Sequence, residues 1–183
     1  WMAAEAYRRL RAGPAHAGAG SNQGTSAAGL RIVRPRREDR YVTCVPLVPL
    51  KAAAGAFSDP QRVDDENWEW AEIDSKHRLR QGMFVAKVVG KSMEPRIPDG
   101  GYCIFRAPVQ GSRHGKIVLV QHRSIHDPET GGRFTVKRYA STKIRDGSGS
   151  WRHAEIRLEP INRQFDPILL REIPEEEIQV IAE

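Results

Sequence analysis

Met83-Phe84-Val85-Ala86-Lys87-Val88-Val89 runs into Gly90-Lys91-Ser92-Met93-Glu94-Pro95-Arg96-Ile97-Pro98-Asp99-Gly100-Gly101, and then into Tyr102-Cys103-Ile104-Phe105-Arg106. The two outer segments are short, apolar and rich in β-branched or aromatic residues, which predicts strands. The middle segment is broken by Pro and Gly. In it Pro98-Asp99-Gly100-Gly101 reads as a turn, because Pro fixes φ and Gly accepts positive φ. Working outward, the same texture recurs at Tyr41–Leu50, Lys116–His122, Arg133–Tyr139, Glu155–Glu159, Ile168–Leu170 and Ile178–Ile181. Asp127-Pro128-Glu129-Thr130-Gly131-Gly132 and Asp146-Gly147-Ser148-Gly149-Ser150 read as hairpin loops. Asp64–Arg80 is left as one helix or a long loop. With no long 3.6-residue periodicity after residue 41, an all-β (mainly β) domain with bent sheets is expected over 41–183.

The amino-terminal part has a different composition. Ala12–Leu30 holds six Ala and five Gly in nineteen residues and offers little to a packed core. Residues 1–40 carry eight Arg against Glu5, Glu38 and Asp39, a net +5 of the chain's +6. They are expected to be a flexible basic linker or tail, the end of an upstream domain. A basic tail can attract nucleic-acid phosphates weakly, but nothing organises these arginines into a recognition surface, and a solvated linker explains them as well. DNA contact is therefore expected only through an absent upstream domain or weakly through this tail.

Composition narrows the function classes. Hydrophobic residues make up 39% of the 183 residues, enough for a modest core, and no apolar run is long enough to cross a membrane. No secretory leader is visible. Cys44 and Cys103 fit neither a disulfide framework nor a metal knuckle, so a cytoplasmic, reducing location is expected, with no metal and no cofactor. His114, His122 and His126, with Asp127 beside them, match no recognised ligand spacing or Ser-His-Asp arrangement. Trp68 and Trp70 fall on one side of a strand and read as core or interface residues.

One pair of residues carries chemistry. Ser92 lies in a turn-rich segment after a strand, where a serine is often only a turn or cap residue. Lys137 sits inside the apparent strand Thr135-Val136-Lys137-Arg138-Tyr139, sharing a face with Thr135 and Tyr139. A lysine on an inward face is pushed toward its neutral form. A neutral amine is what a serine hydroxyl needs to lose its proton. Serine–lysine pairs are a known form of the nucleophile–base arrangement. The alternative is an ordinary surface lysine on a strand.

A further stretch makes the pattern specific. Val45-Pro46-Leu47-Val48-Pro49-Leu50-Lys51-Ala52-Ala53-Ala54-Gly55-Ala56-Phe57, the Ser92 segment and the Lys137 strand, in that order, resemble the self-cleaving serine peptidase domain of LexA-type repressors and UmuD-type mutagenesis proteins. Leu158-Glu159-Pro160-Ile161-Asn162-Arg163-Gln164-Phe165-Asp166-Pro167-Ile168 resembles that family's carboxy-terminal block. The resemblance covers about residues 41–183. It implies a LexA/signal-peptidase-like bent β-sheet fold, Ser92 as nucleophile, Lys137 as general base, and Ala54–Gly55 as the bond cut, within a cleavage-site region of about 50–60. It further implies a homodimer, the chain's own loop as substrate, and a RecA-type filament as co-activator.

Small residues at 54 and 55 allow close backbone approach, and Gly55 tolerates a bend. The 37 residue steps from Gly55 to Ser92, at about 3.3 Å each when extended, exceed any small domain's width, so the segment can return to its own serine. The Ser92 amide and a neighbouring amide would form an oxyanion hole. Met93 is expected to pack and to position that turn. The Ala-rich run also reads as a plain flexible loop. Two departures stand out: Asp99 precedes Gly100-Gly101 where the family commonly has Gly-Asp, and the Gln121–Gly132 loop stretches the Ser92-to-Lys137 spacing. The alternatives are a non-cleaving dimerisation or regulatory module behind a DNA-acting domain, and a signal-peptidase-like protease acting in trans.

Overall fold

A computed structural model describes residues 24–25, 30–56, 68–74, 78–127, 129, 131–145, 151–171 and 177–183. Among these, the strands are β1 (Gly24–Thr25), β2 (Arg31–Val33), β3 (Cys44–Leu47), β4 (Glu69–Glu72), β5 (Met83–Val88), β6 (Gly101–Arg106), β7 (Ile117–Gln121), β8 (Phe134–Arg145), β9 (Trp151–Glu159), β10 (Ile168–Arg171) and β11 (Gln179–Ala182). The α-helix α1 spans Leu50–Ala56. One sheet has the order β1-β2-β4-β3-β5-β6 and the other β10-β9-β8-β7-β11. The protein is mainly β, as its strand-and-turn texture predicts.

Continuous apolar runs in the central strands have a direct cause: those strands are covered on both faces. In β5, Phe84, Ala86 and Val88 point into a core shared with Phe105, Leu119, Val136 and Ile181, which lies between the sheets. Val85 points the other way, toward Leu30, Val45 and Ala71. In β7, Leu119 faces the shared core, while Val118 and Val120 join Tyr139, Ile156 and Leu158 beyond the second sheet. Phe84 and Phe105, opposite each other on β5 and β6, stack at 5.3 Å. The two sheets are tied at the carboxy end, where Glu183 and Arg106 exchange backbone hydrogen bonds of 3.0 and 2.8 Å. Both Arg106 and Lys116 also pair with the Glu183 carboxylate.

Three expectations change. The tail assigned to residues 1–40 loses about its last quarter to the fold: Leu30 is buried and β2 pairs with β4. Three residues are too few to show a period, and their partner strand lies some forty residues on. Within Asp64–Arg80, the segment 69–72 is a strand rather than a helix or loop, with Trp70 buried against Tyr41 and Arg40 and Trp68 packed on the shared core. The strand expected over Tyr41–Leu50 ends at Leu47, and α1 begins three residues later. Residues 57–67 and 146–150, the second read above as a hairpin loop, lie outside the described residues, as does the greater part of 1–29.

Candidate active site

The turn that bears Ser92 leaves β5 through Gly90, whose φ of +108° suits a residue without Cβ. Its amide donates to Asp99 Oδ1 at 2.7 Å. Met93 and Ile97 anchor the far side of the turn in the shared core, joined by a 2.9 Å bond from Ile97 N to Met93 O. The carbonyl of Ser92 accepts from the amides of Ile161 and Asn162 at 3.0 and 2.9 Å. Asn162 Nδ2 donates to the carbonyl of Lys91 at 3.1 Å. The carboxy-terminal Pro160–Asn162 block therefore acts as a clamp on the Ser92 turn. Ser92 itself is 5% exposed.

Lys137 comes from β8, paired with Val118 of β7. It is as buried as Ser92. Its Nζ donates to Ser92 Oγ at 2.8 Å and to Thr135 Oγ1 at 2.9 Å, and lies 3.5 Å from Asp127 Oδ2. The Thr135 bond follows from strand alternation, which puts positions 135 and 137 on one face. Thr135 Oγ1 in turn donates to Asp127 Oδ2, so the lone pair that meets Lys137 is fixed. Burial pushes the Lys137 amine below its ordinary pKa, and the carboxylates of Asp127 and Glu129 oppose this only in part.

Asp127, 4% exposed, is the hub of the β7–β8 hairpin loop. Its Oδ1 accepts the Glu129 amide at 2.9 Å, and its carbonyl accepts the Gly131 amide at 2.8 Å. Glu129 reaches the serine turn: its Oε1 accepts from the Lys91 amide and its Oε2 from the Ser92 amide at 3.3 Å. The amides of Lys91 and Ser92 thus point together at one carboxylate, that of Glu129. Met93 contributes a buried side chain packed in the core.

The cleft beside Ser92 is lined on its apolar side by Leu50, Val88, Val89, Met93, Phe134 and Val136. Leu50 reaches it because β3 runs parallel to β5 at Leu47–Val85 and Val48 N bonds Val85 O at 2.8 Å, which sets α1 down at the cleft. Ala54 and Gly55 lie in the last turn of α1, with a helical rather than an extended backbone. Ala53, fully buried in the shared core, fastens the helix from within. Ser92 and Lys137 are brought together, and the Ala54–Gly55 bond is held in the helix that starts at their cleft.

The histidines do not join this site. His122 is buried with Nδ1 accepting from Ser124 N at 3.1 Å, His114 Nδ1 meets the Ser141 amide at 3.4 Å, and His126 is exposed. Among the described residues no group of three or more His, Cys, Asp or Glu is placed to hold a metal ion. Asp127, adjacent to His126 in sequence, turns to Thr135 and Lys137 instead. Neither its role nor that of Glu129 is visible in the sequence, because each depends on how the loop folds back.

The fold, with its buried serine–lysine pair at the junction of two sheets, defines a class, and comparison with known families agrees. Residues 46–183 match the Peptidase S24-like family, and the chain belongs to it. This is the family of the LexA- and UmuD-type domains that the motifs resemble. The comparison with curated proteins gives no match. Among the described residues no helix is long and apolar enough to cross a membrane.

Proposed function

We propose that this domain is a serine endopeptidase that cuts its own chain at Ala54–Gly55, with Ser92 as nucleophile and Lys137 as general base. The observation that carries the reading is the 2.8 Å contact between Lys137 Nζ and Ser92 Oγ, both nearly excluded from water. A neutral amine keeps two N–H groups and one lone pair. Thr135 Oγ1 and Asp127 Oδ2 accept the two N–H groups, which leaves the lone pair facing the Ser92 hydroxyl. As Ser92 Oγ bonds to the Ala54 carbonyl carbon, its proton passes to Lys137 Nζ and the carbonyl oxygen becomes an oxyanion. The amides of Lys91 and Ser92 are its donors. Collapse breaks the C–N bond, and the Lys137 ammonium returns the proton to the Gly55 amine. Water, deprotonated by the same lysine, then hydrolyses the Ala54 ester.

For this to happen α1 must open, since a peptidase cleft takes an extended chain. A seven-residue helix containing glycine is marginal by itself, and its start at the cleft means little travel is needed. Cutting there separates residues 55–183 from whatever precedes them, so proteolysis acts as a switch of a LexA-like repressor or a stress or defence regulator. The reading extends to a homodimer stimulated by a RecA-type filament in the cytoplasm. The test is alkaline incubation of the wild type beside Ser92→Ala and Lys137→Ala. Only the wild type should be cut, and cutting that persists in Ser92→Ala would end the proposal.

A second reading, a regulatory module that does not cut, is favoured by the helical state of the Ala54–Gly55 segment. Unchanged cellular function of Ser92→Ala would support it over self-cleavage.

A further inference from the structure

An oxyanion hole must be free to receive an oxyanion, and here its two donors are already engaged. The Glu129 carboxylate spans them, one oxygen on the Lys91 amide and the other 3.3 Å from the Ser92 amide. The fit is mutual. A Cβ built at Gly90 would lie 2.9 Å from Glu129 Cβ and closer still to its carboxylate, so the absence of a side chain at 90 makes the room that Glu129 fills. The loop is shaped to deliver it: Asp127 Oδ1 holds the Glu129 amide, and the turn closes from Gly131 N to Asp127 O, with Gly131 at a φ of +62°.

We propose that Glu129 is an autoinhibitory plug: its carboxylate occupies the oxyanion hole at rest and must withdraw before Ser92 can be acylated. This rests on the reading of Ser92 as a nucleophile, and it adds how that nucleophile is kept silent. Two negative oxygens cannot share the Lys91 and Ser92 amides. A developing oxyanion would meet both competition for its donors and repulsion from a carboxylate in a partly buried site. Withdrawal of Glu129 would free both amides without disturbing the Ser92–Lys137 contact, because Asp127 is tied separately to Thr135 of β8. The serine and its base are thus ready, and the hole is shut.

The experiment compares the full chain with Glu129→Ala and Glu129→Gln at one fixed alkaline pH. One readout is self-cleavage and the other is acylation by p-nitrophenyl acetate, each corrected with the matching Ser92→Ala protein. Glu129→Ala should be acylated at Ser92 on the order of tenfold faster than the wild type, by the scale of a lost oxyanion donor taken conservatively. Glu129→Gln, which keeps the shape but loses the charge, should show a smaller gain in the same direction. Wild-type or slower acylation in both variants overturns the plug, as does an absence of Ser92-dependent acylation in Glu129→Ala. Faster acylation without any cut in either protein upholds the plug and removes self-cleavage instead.

Discussion

Asn162 Nδ2 donates to the carbonyl oxygen of Lys91 at 3.1 Å, a bond between positions 71 residues apart. Together with the amides of Ile161 and Asn162 on the Ser92 carbonyl, it fixes the serine turn from outside. This gives the carboxy-terminal block a mechanical purpose: it holds the Lys91 carbonyl, which shares a peptide plane with the Ser92 amide, and so sets that amide's direction.

Asn162→Ala is accordingly expected to cost about 1 kcal/mol of stability, the usual value of one hydrogen bond. Its effect on Ser92 reactivity should be larger, about tenfold, because a small rotation of the turn misaims both the hydroxyl and the amides. Thermal unfolding and Ser92 acylation, measured on one preparation, separate the two effects.

The pH dependence follows from Lys137. Burial lowers its pKa, and only the neutral amine can accept the Ser92 proton, so the rate should rise with pH through the lowered pKa and then level off. Asp127 acts in the opposite sense by favouring the charged form. Asp127→Asn removes that charge while keeping an acceptor for Thr135. Its pH–rate midpoint should move to lower pH than that of the wild type. A midpoint that stays in place or moves up would contradict the assignment of Lys137 as base.

Opening of α1 is a separate requirement. Ala52 is exposed in the helix, so Ala52→Gly should weaken it by about 1 kcal/mol without removing a core contact. Self-cleavage should accelerate about fivefold, while Ser92 acylation by a small ester should not change, since that reaction does not need the helix to open. Equal cleavage rates would mean that the Ala54–Gly55 bond does not have to leave the helix.

These elements were not equally legible in the sequence. Ser92 and Lys137 were readable because the motifs around them stand in the order of the resembled family, a strand lysine alone reading as a surface residue, and the strands themselves because their alternation or apolar runs are local. The β8 and β9 strands run further than expected, to Arg145 and from Trp151, since their outer ends are polar. Helix α1 was hidden because one and a half turns of Ala and Gly show no period and look like a loop. Leu30–Val33 was hidden in a Gly- and Ala-rich neighbourhood, its place decided by pairing with β4. Glu129 was hidden for the strongest reason: its carboxylate meets amides 38 and 37 residues away, and only the folded hairpin brings them together.

On this proposal the Ser92–Lys137 pair cuts the chain that carries it. The most direct test is the intact mass of the purified protein before and after alkaline incubation. Two products are expected, with the masses of residues 1–54 and 55–183, formed by the wild type and absent from Ser92→Ala. A chain that stays intact at every pH, including in Glu129→Ala, or a cut at any other bond, would contradict it.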